Sequence, residues 1–168
     1  MSDIVFPSQA WFTEYRKRIN GDDEYAEISG DWGVGFDGDF VFEMRQMPVD
    51  DIDFDALPEE LAAELEEYVD RETGTGYALL GLEGGECTSA ELIADVDDVE
   101  YGFKMVAEFD TWKQLVSGQI GAIDGMMSGQ FELEGDMQKV LQYSDSAARL
   151  TELSSNIDAT FVDEEYGA

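Results

Sequence analysis

The chain has 168 residues, a length that suits one domain with a sizeable core. Forty Asp and Glu stand against nine Lys and Arg, a formal charge of -31, and there is no histidine. That balance argues against nucleic acid and anionic membrane surfaces as partners. The missing imidazole removes Ser-His-Asp triads, Cys-His pairs and His-ligated metals.

Hydrophobic residues make up 43%, enough for a core despite the charge. The acids are spread through the chain, as in Glu59-Glu60, Glu64, Glu66-Glu67 and 95–100, unlike an acidic tail. Two like charges about 7 Å apart in water cost roughly 0.6 kcal/mol. At about 1 M salt the Debye length is about 3 Å and most of that cost disappears. The expected setting is therefore a salt-filled cytoplasm, as in a haloarchaeon, with a fold that loosens at low ionic strength.

Cys87 is the single cysteine, which fits a reducing compartment and a buried structural thiol. No charged-then-apolar leader opens the chain and no apolar run reaches transmembrane length, so a cytoplasmic location without membrane insertion is expected. The Gly-rich pieces Gly33-Val34-Gly35 and Gly84-Gly85 match neither the dinucleotide fingerprint nor the phosphate loop. Acidic clusters such as Asp22-Asp23-Glu24 lack calcium-loop spacing and read as solvated faces. No cofactor and no metal is expected.

In chain order, Trp11, Phe12, Tyr15 and Ile19 predict an amphipathic first helix, with Pro7 near its start. A short second helix is expected over 22–28. Segments 32–36 and 40–45 flank Asp37-Gly38 and predict a hairpin, with Phe40, Phe42 and Met44 on one face of its second strand. Leu57, Leu61, Leu65, Tyr68 and Val69 recur at helical spacing among glutamates, an exposed acidic helix that reads as a connector or as a lid.

Two strands are expected over 77–82 and 88–94 around Gly84-Gly85, the first apolar on both faces. Over 99–109, Val99, Tyr101, Phe103, Met105, Ala107 and Phe109 alternate onto one face of a further strand. Asp110 or Thr111 then caps a helix whose apolar side runs through Trp112, Leu115, Val116, Ile120, Ile123, Met126 and Met127, with a break expected near Gly118. A short strand over 130–135 carries Phe131 and Leu133 on one face. A last helix starts at Asp136 and presents Met137, Val140, Leu141, Ala147, Ala148 and Leu150. The tail after Ile157 is expected to be loose, with Phe161 its one candidate for docking. No repeat or low-complexity linker appears, so a single α+β domain over 1–168 is predicted: one largely antiparallel sheet with helices over one face.

The run Trp112-Lys-Gln-Leu115-Val-Ser-Gly118, then Met126-Met127-Ser-Gly129-Gln-Phe131-Glu-Leu133-Glu-Gly135-Asp136-Met137, resembles the sterol carrier protein type-2 family over roughly 77–153. The matching positions are Trp112, Leu115, Gly129, Gly135, Asp136 and Met137. The resemblance implies a five-stranded sheet with helices, enclosing an apolar tunnel for sterols, fatty acids or acyl-CoA, in carriers or in modules fused to enzymes. It departs at Gln130, Glu132 and Glu134, where the family often has lysines that would attract acyl-CoA phosphates. Segment 50–73 reads as an acidic helical insertion.

With that resemblance, the expected ligand is apolar and lipid-like, carried without catalysis. Isoprenoid lipids or quinones suit a haloarchaeal host better than sterol. The expected lining is Phe103 and Met105 on the strand; Trp112, Leu115, Ile120, Ile123, Met126 and Met127 on the helix after it; and Phe131, Met137 and Leu141 beyond. Taken alone, this stripe fits a filled core equally well. Two other functions stay open: an interaction module with a filled core, and an enzyme using an acid such as Asp136, whose place at a helix start otherwise reads as an N-cap.

Overall fold

In a computed structural model that describes residues 4–166, a mixed sheet carries a layer of helices on one face. Helix α1 (Gln9–Asn20) starts at Ser8, whose hydroxyl accepts a hydrogen bond from the Trp11 amide at 3.1 Å. Its buried side is Trp11, Phe12, Tyr15 and Ile19, the expected stripe. Asp22 caps the short α2 (Asp23–Ile28) in the same way through the Tyr25 amide.

The sheet is built around β2 (Phe40–Arg45), which lies antiparallel to β4 (Thr75–Glu83) and parallel to β6 (Phe103–Glu108). Strand β5 (Glu86–Ile93) pairs with β4 on one side, and β7 (Glu132–Glu134) pairs with β6 on the other. The two-residue β3 (Val69–Asp70) adds to the start of β4, at Thr75 and Gly76. The sheet is therefore six-stranded and mixed, which corrects the expectation of a largely antiparallel five-stranded one. The parallel pair arises because the long 46–102 excursion, including the β4–β5 hairpin, separates β2 from β6.

Register aligns one apolar face across the sheet. Phe40 stands opposite Leu80 and Phe103, Phe42 opposite Ala78 and Met105, and Met44 opposite Gly76 and Ala107. This face meets the helices. The other face holds a small cluster of Val41, Leu79 and Ile93, against which Tyr77, Val96, Val99 and Tyr101 pack. Strand β4 is thus apolar on both sides, as its sequence predicts.

Helices α4 (Phe109–Val116), α5 (Ala122–Met127), α6 (Met137–Gln142) and α7 (Ser144–Ser155) complete the layer with α1. Helix α7 touches α1, α2, α4, α5 and α6 and is its hub. Helix α3 (Glu59–Tyr68) follows Pro58, buries Leu61 and Leu65, and accepts the Gln9 amide on Glu64 at 2.6 Å.

Several local expectations are corrected. Segment 32–36 is not a strand, and Asp37-Gly38 is not a hairpin turn. Residues 29–39 instead fold back around the Trp32 indole, which donates to Gly38 O at 2.9 Å and stacks on Phe40. Val99 and Tyr101 precede β6 and join the outer cluster, because a short 3-10 turn (Val96–Asp98) swings the chain across the sheet. Phe109 opens α4 rather than ending a strand. Neither Asp110 nor Thr111 caps that helix, whose N-cap position is Glu108 without a side-chain bond. The final helix is split at Tyr143 into α6 and α7. The tail is docked as well: β8 (Ala159–Phe161) runs parallel to β1 (Ile4–Phe6), and Val162 is fully buried. Lys113 clamps it through Asp163 at 2.9 Å and Glu164 at 2.8 Å. The last two residues of that tail, 167–168, lie outside the described residues.

Candidate functional site

The helix-facing side of the sheet does not fill completely. A hollow of about 60 Å³ lies between Phe40, Phe42, Leu80 and Met105 of the sheet, Tyr15 of α1, Leu115 of α4, Ala122 and Met126 of α5, Val140 of α6, and Ala147, Leu150 and Thr151 of α7. A second, of about 30 Å³, is lined by Tyr25, Trp32, Leu82, Tyr143 and Ser146 together with Phe40, Val140, Ala147 and Leu150. Those last four residues line both hollows, so the two are neighbours in one seam between sheet and helices.

Local sequence explains the seam. Gly118 takes φ +80° and ends α4, so the chain breaks instead of sealing the sheet with one long helix. Gly125 on α5 lets the Phe131 ring sit where a Cβ would meet it at 2.6 Å. Phe131 in turn meets the Trp112 ring edge-on at 4.9 Å. Trp112 is fully buried, donates to Glu43 O at 3.0 Å and packs at a tilt against Phe42, with ring centroids 4.6 Å apart. Asp136 caps α6 by accepting from the Lys139 amide at 3.2 Å, which fixes where Val140 enters the seam. Asp136 is exposed and does not line the seam.

The lining is apolar, and the hydroxyls of Tyr15, Thr151 and Ser146 are engaged. Tyr15 donates to Leu150 O at 2.9 Å, and Thr151 to Ala147 O at 3.1 Å. Ser146 accepts from Ser29 at 2.6 Å. Burial pushes the Tyr15 phenol well above its ordinary range and Tyr25 up to about 12, so both stay neutral. Cys87 lies outside the seam, where burial raises its thiol to about 12.

Charge is organised elsewhere. On the outer sheet face the buried carboxylate of Glu43 is held by Lys104 at 3.0 Å and by Arg45. Arg149 grips Asp22 through two nitrogens, at 2.8 and 2.6 Å, and also reaches Glu24 and Glu152. Among the described residues, no group of three or more Cys, Asp or Glu side chains is arranged to hold a metal ion. No helix among them is long and apolar enough to cross a membrane.

The sequence-predicted residues divide into three sets. Met105, Leu115 and Met126 line the larger hollow. Phe103, Trp112 and Phe131 are buried beside it as core, with Ile120 and Ile123 half-buried against the same cluster. Met137 is half-buried, whereas Met127 (70%) and Leu141 (39%) are exposed on the outside of α5 and α6. Sequence reasoning did not assign Tyr15, Phe40, Phe42, Leu80, Ala122, Val140, Ala147, Leu150 and Thr151 to the lining. The signal for Phe40 and Phe42 was their shared strand face. For Val140, Ala147 and Leu150 it was the apolar side of the last helix.

This arrangement is the sterol carrier protein 2 fold. A crystal structure of sterol carrier protein 2 superposes with a TM-score of 0.66, covering 89% of this chain and 97% of its own at 20% identity. A conserved protein of Thermus thermophilus, described as possibly a sterol carrier protein, gives a TM-score of 0.67 at 18% identity, covering 95% and 94%. No curated protein matches the chain. Residues 74–147 match the family model described as the SCP-2 sterol transfer family. That segment runs from the residue before β4 to Ala147 and includes six of the residues around the larger hollow beyond Leu80.

Proposed function

We propose that this protein binds and carries an apolar, lipid-like molecule in the seam between its sheet and helices, without acting on it chemically. The observation that carries this reading is the pair of adjoining apolar hollows at the centre of a sterol carrier protein 2 fold, with no charged side chain in either lining. SCP-2 domains are lipid-binding and lipid-transfer domains in general. The seam offers no nucleophile beside a base and no acid aimed inward.

The hollows are small. Together they hold less than the roughly 150 Å³ of a dry engineered cavity that admits benzene. A long ligand therefore requires α5, α6 and α7 to move outward from the sheet. Helices α5 and α6 have only six residues each, breaks at Gly118, Gly129 and Tyr143 set the three apart, and much of their length is exposed. About fifteen buried methylenes yield roughly 12 kcal/mol gross, most of it offset by ordering and association. That leaves affinity in the micromolar range from shape and burial alone. We place this function in a salt-rich cytoplasm, with the whole chain as one domain and 50–73 as an elaboration around it.

Displacement of a fluorescent fatty alcohol in molar potassium chloride tests the reading. Saturable, one-to-one binding is expected. Failure to bind any long apolar probe refutes it and favours the filled-core interaction module.

A further inference from the structure

The seam selects uncharged ligands. Resting on the binding function proposed above, we infer that the native ligand is a neutral, hydrocarbon-rich lipid, and that the same chain bearing a carboxylate is excluded.

Neither hollow has a Lys, Arg, Asp or Glu in its lining. Four cations, Arg16, Lys104, Lys139 and Arg149, are adjacent in sequence to lining residues, and each is engaged outside the seam. Arg149, next to Leu150, is bound to Asp22, Glu24 and Glu152. Lys139, next to Val140, lies 3.9 Å over the Phe36 ring. Of the seven besides Arg149 and Lys139, Lys104 is held by Glu43 and Glu134, Lys113 by Asp163 and Glu164, Arg45 by Glu43, and Arg18 by Glu14. Arg16 donates to Cys87 O, and Arg71 lies over Phe54. Lys17 is exposed in the last turn of α1.

Three of the donors within the seam are committed too. Tyr15 and Thr151 give their hydroxyl protons to backbone carbonyls of α7, and the Trp32 indole gives its own to Gly38 O. A carboxylate drawn into the seam would meet no cation. Left at its mouth, it would meet a surface carrying a net charge of -31 over the whole chain. An unpaired buried charge is the costliest group to desolvate, whereas an alcohol, ester or hydrocarbon end incurs little of that cost.

The test compares dodecanol with dodecanoate on the full chain in molar potassium chloride, each displacing the same fluorescent apolar probe. Dodecanol is expected to bind roughly tenfold or more tightly. The variant Lys139→Gln is expected to leave both affinities unchanged. Equal affinity for the two, or dodecanoate binding that is lost in Lys139→Gln, overturns the inference while leaving lipid binding intact. Failure of both probes overturns the binding function itself, and the inference with it.

Discussion

Replacing Ala147 with Leu should stabilise the fold and abolish ligand binding at the same time. Ala147 lines both hollows from α7. A leucine there extends three further carbons into the larger one, whose volume is about 60 Å³. At about 24 cal/mol per Å³ of cavity, filling that space is worth about 1.4 kcal/mol. For a domain of this size that raises Tm by roughly 3–6 °C. Leucine is nearly as good a helix former as alanine, so the helix term is small. The same side chain blocks the seam where the two hollows meet, so probe displacement should fall by an order of magnitude or more. Thermal unfolding and fluorescent titration in molar potassium chloride read the two effects. Lower stability would mean that the seam is already full. Unchanged binding would mean that the ligand enters elsewhere.

Three further outcomes follow from charge and burial. Unfolding midpoints should rise steeply between about 0.1 M and about 1 M potassium chloride, as the Debye length contracts from about 10 to about 3 Å. A fold indifferent to salt by circular dichroism contradicts that expectation. Cys87 should resist thiol reagents at pH 8 until the chain unfolds, since burial raises its thiol to about 12 from 9.0. The unfolded thiol ionises first, so its contribution to stability is complete below pH 9 and declines as pH climbs toward 12. Arg149→Gln should lower the urea midpoint at neutral pH. Hydrogen bonding by Arg149 lowers the Asp22 pKa, so the stability from that carboxylate is present above about pH 4 and is lost as pH falls through its depressed folded value. The gap between the native protein and Arg149→Gln should therefore narrow in acid, and a gap independent of pH would refute the linkage.

Much of the fold was legible because burial imposes a period on the sequence. The stripe from Trp11 to Ile19, the two-sided apolarity of 77–82 and the β4–β5 turn at Gly84-Gly85 are all where the spacing puts them. The break near Gly118 was legible from glycine alone, and the Asp136 cap from its position before an apolar run. The parallel pairing of β2 with β6 was not. Alternation tells which face a residue takes but not which strand lies beside it, and the Asp37-Gly38 signal was overridden by the burial of Trp32. Val99 and Tyr101 kept the period of β6 but fell on the outer cluster, because the chain turns between Tyr101 and Phe103.

The candidate site was legible in outline only. Of the residues expected in the lining, Met105, Leu115 and Met126 border the larger hollow. Met127 and Leu141 share the helical period yet face outward, since each lies at the end of a six-residue helix too short to bury a full stripe. Phe40, Ala147 and Leu150 come from segments far apart in sequence, so only the assembled sheet and helices bring them together.

The central claim is that the seam accommodates a lipid, and mass measures this most directly. Native mass spectrometry of the protein purified in high salt, paired with organic extraction and analysis of what is released, should show one bound neutral lipid. If the protein is instead empty, it should take up one added dodecanol. A protein that stays at its bare mass, both as purified and after dodecanol is added, would contradict the account.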